Sequence, residues 1–187
     1  MSKEVVLDIE TQTASLADLS QMRVSVVGAY FYDTDSFETF EENQLAGLFK
    51  RLERADRIIG YNTKGFDLPI LNRYYPGDLL RVAQLDILEE IHKALGFRLK
   101  LDDVAAATIG QRKSGHGLQA VEWWKQGEMQ KIKDYCLQDV KVTRDIYAYG
   151  LKYGALAYED RLGGRKAIPV DFKLKQITSS INLSLGF

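Results

Sequence analysis

The sequence predicts an α/β fold, a mixed central sheet flanked by helices. Three observations predict it. The chain opens on an alternating apolar strand; two further strands follow around a polar turn; after them, short apolar strands alternate with helical periods. A hairpin followed by strand–helix alternation puts antiparallel and parallel pairs in one mixed sheet. At 187 residues the chain suits one domain with a sizeable core, and no internal repeat or low-complexity linker divides it.

Each element has its own signal. In residues 4–10, Val5, Leu7 and Ile9 face one side of a pleated strand and Val6, Asp8 and Glu10 face the other. Residues 22–32 form a second strand and 36–40 a short third, joined by a turn containing Asp33, Thr34 and Asp35. Residues 43–55 carry helical spacing, with Leu45, Leu48, Phe49 and Leu52 on one face and Asn43 as N-cap. Residues 57–61 form a buried strand, and 68–74 a helix with Pro69 in its first turn, stopping before Pro76. Residues 83–86 form a short strand leading into a helix that Gly96 ends. Shorter helices cover 102–109 and 117–125, and a long one runs over 128–153. Residues 158–160 and 166–172 read as a hairpin around Gly163-Gly164. Residues 1–155 are expected to form the main domain, with 156–187 a hairpin and tail packed on it.

Composition narrows the function classes. A hydrophobic share of 45% with 27% charged residues describes an ordinary soluble globular protein, and no apolar run approaches a membrane span. No signal peptide is visible at the N-terminus, and the single cysteine, Cys136, forms no internal disulfide and suits a reducing compartment. A cytoplasmic location is therefore expected. A net charge of −1, from 25 basic and 26 acidic residues, argues against strong nonspecific binding to long duplexes. It allows an enzyme that grips a few nucleotides at a strand end, where a local basic rim and metal ions supply positive charge.

The chemistry lies in carboxylates. Asp8 and Glu10 leave the end of an apolar strand in the same direction, an arrangement that repels itself until a hard cation takes the oxygens. Asp67 sits at the start of a helix, where capping is its simplest role. Tyr135 and Asp139 are one helical turn apart, in a row that continues through the apolar Val142 and Ile146. Asp139 thus faces the protein, where a carboxylate needs a salt bridge, a hydrogen-bond network or a metal.

Taken in order, Asp8-Ile9-Glu10-Thr11, Tyr61-Asn62 to Phe66-Asp67-Leu68-Pro69, and Tyr135-x-x-x-Asp139 resemble the three exonuclease motifs of the DEDD (DnaQ-like) superfamily, which has an RNase H-like fold. The tyrosine in the third motif marks the DEDDy branch. The wording is closest to the proofreading domains of family B DNA polymerases and to stand-alone RNase H-like exonucleases. All four acids and the tyrosine are present.

The resemblance implies a metal-dependent 3′→5′ exonuclease that hydrolyses phosphodiester bonds at single-stranded 3′ ends, using two Mg²⁺ or Mn²⁺ ions about 4 Å apart. Asp8, Glu10 and Asp139 would be the metal ligands, and Asp67 would act on the metals through water. Tyr135 would orient the attacking water, since a phenol titrating near 10 is a poor base at neutrality. Glu10 would also hold the terminal 3′ hydroxyl. Asn62, Phe66 and Thr11 are the substrate-contact positions. DNA and RNA 3′ ends are both possible substrates, and a separate polymerase or helicase is a possible partner. The competing reading is a catalytically silent RNase H-like module that binds nucleic acid or a partner; missing acids would favour it.

Weaker candidates remain beside these. Arg112 to Gly117 forms a basic loop containing His116. One of Trp123 and Trp124 is expected in the core and the other at a stacking surface. Asp86 resembles none of the metal positions, and Cys136 reads as a small core residue. Arg161, Arg165 and Lys166 surround the C-terminal turn, where they either stay solvated or touch a nucleic-acid backbone.

Overall fold

A computed structural model describes residues 3–13, 18–111 and 118–174. Seven strands and six α-helices cover them in chain order: β1 (Glu4–Thr11), β2 (Val24–Phe31), β3 (Ser36–Glu41), α1 (Leu45–Leu52), β4 (Arg57–Gly60), α2 (Asp67–Leu71), β5 (Gln84–Asp86), α3 (Ile87–Leu95), α4 (Leu101–Ile109), α5 (Leu118–Lys125), α6 (Met129–Tyr153), β6 (Ala155–Glu159) and β7 (Arg165–Pro169). The first five strands make one mixed sheet in the order β3-β2-β1-β4-β5, with β1 at its centre. β1 runs antiparallel to β2 and parallel to β4. This is the mixed α/β sheet that the strand–helix pattern predicts.

The alternation along β1 separates two cores. Val5, Leu7 and Ile9 pack with Leu45, Leu48 and Leu52 of α1 and Leu68, Ile70 and Leu71 of α2. Val6 packs on the other face with Val140, Val142 and Ile146 of α6. The long helix therefore lies across the face that also carries Asp8 and Glu10. Gly28 of β2 stands opposite Asp8 in the register, and it lets α6 approach closely. A Cβ at Gly28 would lie 2.9 Å from Cys136 Sγ and 3.0 Å from Val140 Cγ2, so any side chain there would push the helix away.

A buried hub fixes the far end of α6. Arg57 of β4, 5% exposed, pairs with Glu4 at 2.5 Å and donates to Tyr147 Oη at 2.7 Å and the Phe172 carbonyl at 2.8 Å. A buried guanidinium with this many acceptors meets the condition under which a buried charge is tolerated. The hub joins β1, β4, α6 and the C-terminal segment.

Two local expectations are corrected. Asn43 does not cap α1; it lies within a 3₁₀ turn, Glu42–Gln44, and the Glu41 amide is instead taken by Gln44 Oε1 at 2.9 Å. The chain leaves β3 at Glu41 straight into this turn, which leaves no extended residue for a separate cap. The C-terminal hairpin begins at Ala155, not 158. Gly154, with φ of 69°, reverses the chain directly after α6, and the next residues pair at once with β7. This hairpin forms its own two-stranded sheet and packs on α4, where the Thr108 hydroxyl bonds both backbone groups of Ala157.

Candidate active site

The site forms where β1 meets the N-terminal half of α6. Asp8 and Glu10 come from the same face of β1, as the pleat requires, and Asp139 comes from the helix above. One carboxylate oxygen from each of the three lies within 4.8 Å of the other two. Asp139 is buried, while Asp8 and Glu10 are half-buried. Three carboxylates at this spacing form a strongly negative pocket with only oxygen donors.

Cys136 reports the field there. Burial first, then the charges of Asp8, Glu10 and Asp139, hold its thiol well above the usual range. The protonated sulfur donates to the Asp8 carbonyl at 3.4 Å and lies 3.6 Å from Asp8 Oδ2. It is thus a core residue, as expected, and also a brace for Asp8. The three carboxylates are hard oxygen donors, which suit Mg²⁺ or Mn²⁺ better than a thiophilic ion.

Tyr135 is buried one turn before Asp139 on α6, and its ring packs edge-on against Trp123 at 5.7 Å between centroids. Trp123 and Trp124 are both half-buried against the cluster formed by Val26, Ala120, Ile132 and Cys136. The expected division into one core and one surface tryptophan does not occur, because both rings pack on the same small cluster.

Asp67 occupies a different position from the other acids. It is the first residue of α2 and lies outside the group of three. It is not a side-chain cap. β1 and β4 pair only as far as Val6 and Ile59, and Asp67 Oδ1 accepts the Ile9 amide beyond that point at 3.0 Å. The carboxylate thus continues the ladder after the strand has left, directly between Asp8 and Glu10. Burial is the largest influence on it and pushes its carboxyl up to about 7, against hydrogen bonds that lower it.

The loop between β4 and α2 is held from outside by Asp86, which sequence reasoning passed over. Its carboxylate accepts the Asn62 amide at 2.9 Å and the Lys64 amide at 3.0 Å, while also capping α3 through Leu88 and Glu89. A strand-end aspartate preceding a helix signals a cap; its second task depends on a loop 22 residues earlier and has no local sequence mark. Asn62 sits at φ 69°, a left-handed conformation that asparagine tolerates better than most residues. Its Oδ1 accepts from Arg98 at 2.5 Å. Phe66 is half-buried and packs on the α1-side core, and the Thr11 hydroxyl donates to the Thr13 carbonyl at 2.8 Å. His116 and the rest of the loop 112–117 lie outside the described residues.

A family model described as the RNase H superfamily matches residues 5–150. The chain belongs to the RNase H superfamily. Among solved structures, it is similar to the family B DNA polymerase from the hyperthermophilic archaeon Pyrobaculum calidifontis, with a TM-score of 0.62 at 24% identity. That match covers 79% of this chain and only 24% of the polymerase, so the likeness concerns the fold. No curated protein sequence matches the chain. This RNase H superfamily member has no described helix long and apolar enough to cross a membrane. The hairpin of β6 and β7 lies beyond the stretch matched by the family model.

Proposed function

We propose that this protein is a metal-dependent 3′→5′ exonuclease of the DEDDy type acting on single-stranded nucleic acid. The observation that carries the reading is the convergence of Asp8, Glu10 and Asp139, drawn from positions 131 residues apart, to within 4.8 Å. Asp8, Glu10 and Asp139 would hold two divalent cations, Mg²⁺ or Mn²⁺. Such ions, when bound, polarise the scissile phosphate, lower the pKa of water and relieve charge on the leaving oxygen.

The chain's own residues contribute positioning. The Tyr135 hydroxyl orients the attacking water, its ring held in place by Trp123. Glu10 accepts the terminal 3′ hydroxyl, which would make a free end a requirement. Asp67 fixes the Ile9 amide, and with it the directions in which the flanking Asp8 and Glu10 side chains leave the strand. Its outer oxygen would bear on the metals through water. Asn62 and Phe66, on the loop between β4 and α2, and Thr11, at the end of β1, would meet the terminal nucleotides. The four acids and the tyrosine are intact, which favours this reading over a silent binding module. A polymerase or helicase on a separate chain would be a natural partner for such an activity.

Purified protein incubated with 5′-labelled single-stranded DNA or RNA and Mg²⁺ or Mn²⁺ is expected to give a ladder shortened from the 3′ end. EDTA should abolish it, and a blocked 3′ hydroxyl should delay the first cut. Asp8→Ala should abolish turnover while the metal-free variant melts at or above the wild-type temperature, because one of three crowded like charges is gone. Efficient cutting of closed circular single strands would mean an endonuclease and would overturn the proposal.

A further inference from the structure

The loop after α3 touches both the loop between β4 and α2, which carries Asn62, and the hairpin, although the two lie far apart in sequence. Tyr61 Oη donates to the Leu99 carbonyl at 2.8 Å, and Arg98 Nη2 donates to Asn62 Oδ1 at 2.5 Å. These two bonds pin residues 97–100 against the loop that carries Asn62. From the same segment, the Phe97 ring stands edge-on to Tyr158 of β6 at 5.9 Å between centroids, and 46% of Phe97 remains exposed. Tyr158 pairs directly with Lys166 of β7, so the two side chains share one face of the hairpin. Arg161 lies in the turn beyond them.

The charges along this line are mixed but leave cations available. Asp160 Oδ1 accepts the Leu162 and Gly164 amides while its Oδ2 lies 3.6 Å from Lys166, whose side chain stays 57% exposed, so the pair is a loose surface one that leaves the ammonium reachable. Glu89 holds Lys64 at 2.5 Å, so Lys64 is not counted. Asp102 and Asp103 sit at the start of α4, near Tyr61. Arg98 and Arg161 form no ion pair with any described residue. Phe97 packs one edge on Tyr158 and still leaves 46% of its surface open beside these cations. Cations for a backbone, interleaved with rings that bases can stack on, are what a single strand needs.

We propose that the single strand entering the carboxylate pocket lies along a track formed by Asn62, Arg98, Phe97, Tyr158, Lys166 and Arg161, so that the hairpin extends the substrate site. The proposal rests on the nuclease reading for its direction, since the pocket takes the 3′ end and the track takes the nucleotides behind it. Phosphates pass Arg98, Lys166 and Arg161, and at least one base stacks on Phe97 or Tyr158.

The test is binding in EDTA, where nothing is cut. Fluorescence anisotropy with the full chain should show a 5′-labelled single strand of about fifteen nucleotides binding more tightly than a trinucleotide, because only the longer one fills the track. The double variant Arg98→Ala/Lys166→Ala should weaken the longer strand about tenfold and lower its salt slope by about 1.4, for two lost phosphate contacts. Arg98→Lys should keep its share of the slope. Phe97→Ala should weaken binding without changing the slope. Lys125→Ala, on the exposed end of α5, should change neither. Thermal melts should confirm that these surface variants fold. A double variant that binds the long strand like wild type, with the same slope, would overturn the track, as would wild-type protein with no preference for the longer strand. Because turnover plays no part, length-dependent binding in a protein that never cuts would keep the track and defeat the nuclease reading instead.

Discussion

At the residue scale, the proposed exonuclease would use Tyr135 on the reacting water and Asp67 to set the geometry of the pocket. Tyr135→Phe removes one hydroxyl and keeps the ring against Trp123. Its turnover should fall about a hundredfold, close to 3 kcal/mol of transition-state stabilisation, with an unchanged melting temperature and metal affinity. Steady-state kinetics checks this, and full activity would make Tyr135 a packing residue. Asp67 is expected to behave differently, because its carboxylate satisfies the buried Ile9 amide. Asp67→Ala should cost about 1–3 kcal/mol of stability by denaturant titration, the usual result of orphaning a buried donor. Asp67→Asn keeps an acceptor at the same atom and should recover most of that loss. Equal melting of the two variants would contradict a bracing role. Asp8, Glu10, Tyr135 and Asp139 were legible in the sequence as side chains leaving one strand face and one helical row, and Asp67 as a carboxylate at a helix start. The dual role of Asp86 was not, because hydrogen bonds to the Asn62 and Lys64 amides are long-range and leave no local pattern.

At the element scale, the site depends on how closely α6 lies on β1 and β2. Periodicity shows which face of the helix is buried, and the structure agrees for Tyr135, Asp139, Val142 and Ile146. It does not show the distance of approach. That distance is set by Gly28, a glycine inside a strand whose sequence context resembles any small core residue. Gly28→Ala would place a methyl 2.9 Å from Cys136 Sγ. The helix must then shift, and overpacking of this kind costs about 1–3 kcal/mol. Activity should fall further than stability, since Asp139 moves with the helix while Asp8 stays on the strand. Cys136→Ala in the same chain should restore part of both, as it removes the nearest clashing atom. Melting curves and turnover measured on the single and double variants test this coupling, and simple additivity would refute it. The errors at α1 and β6 have a related origin. Both lie where one element runs into the next, and there backbone hydrogen bonding decided the boundary, not side-chain periodicity.

At the scale of the whole molecule, the main question is whether the hairpin beyond the family-matched stretch is an appendage or part of the folding unit. The buried contacts favour one unit. Phe172 is 1% exposed, stacks on Tyr147 at 5.8 Å, and fills the notch left by Gly150, where a Cβ would lie 2.3 Å from its ring. Its carbonyl is an acceptor for Arg57, the guanidinium that also holds Glu4 at the start of β1. Leu156 and Ile168 are buried in the same core as Val140 and Ile146. Losing three such side chains removes roughly 5–9 kcal/mol of apolar burial at about 1.5–3 kcal/mol each. A domain of this size has only about 5–15 kcal/mol in total. A chain ending at Gly154 should therefore lose cooperative melting, and its Arg57 would lose the Phe172 carbonyl as an acceptor. Phe172→Ala, a milder change, should cost about 3–5 kcal/mol and yet leave a folded protein. Circular dichroism melts of both would decide the matter. If the chain ending at Gly154 melted cooperatively near the wild-type temperature, the hairpin would be an appendage, and the carboxylate pocket would owe its stability to residues 1–154 alone.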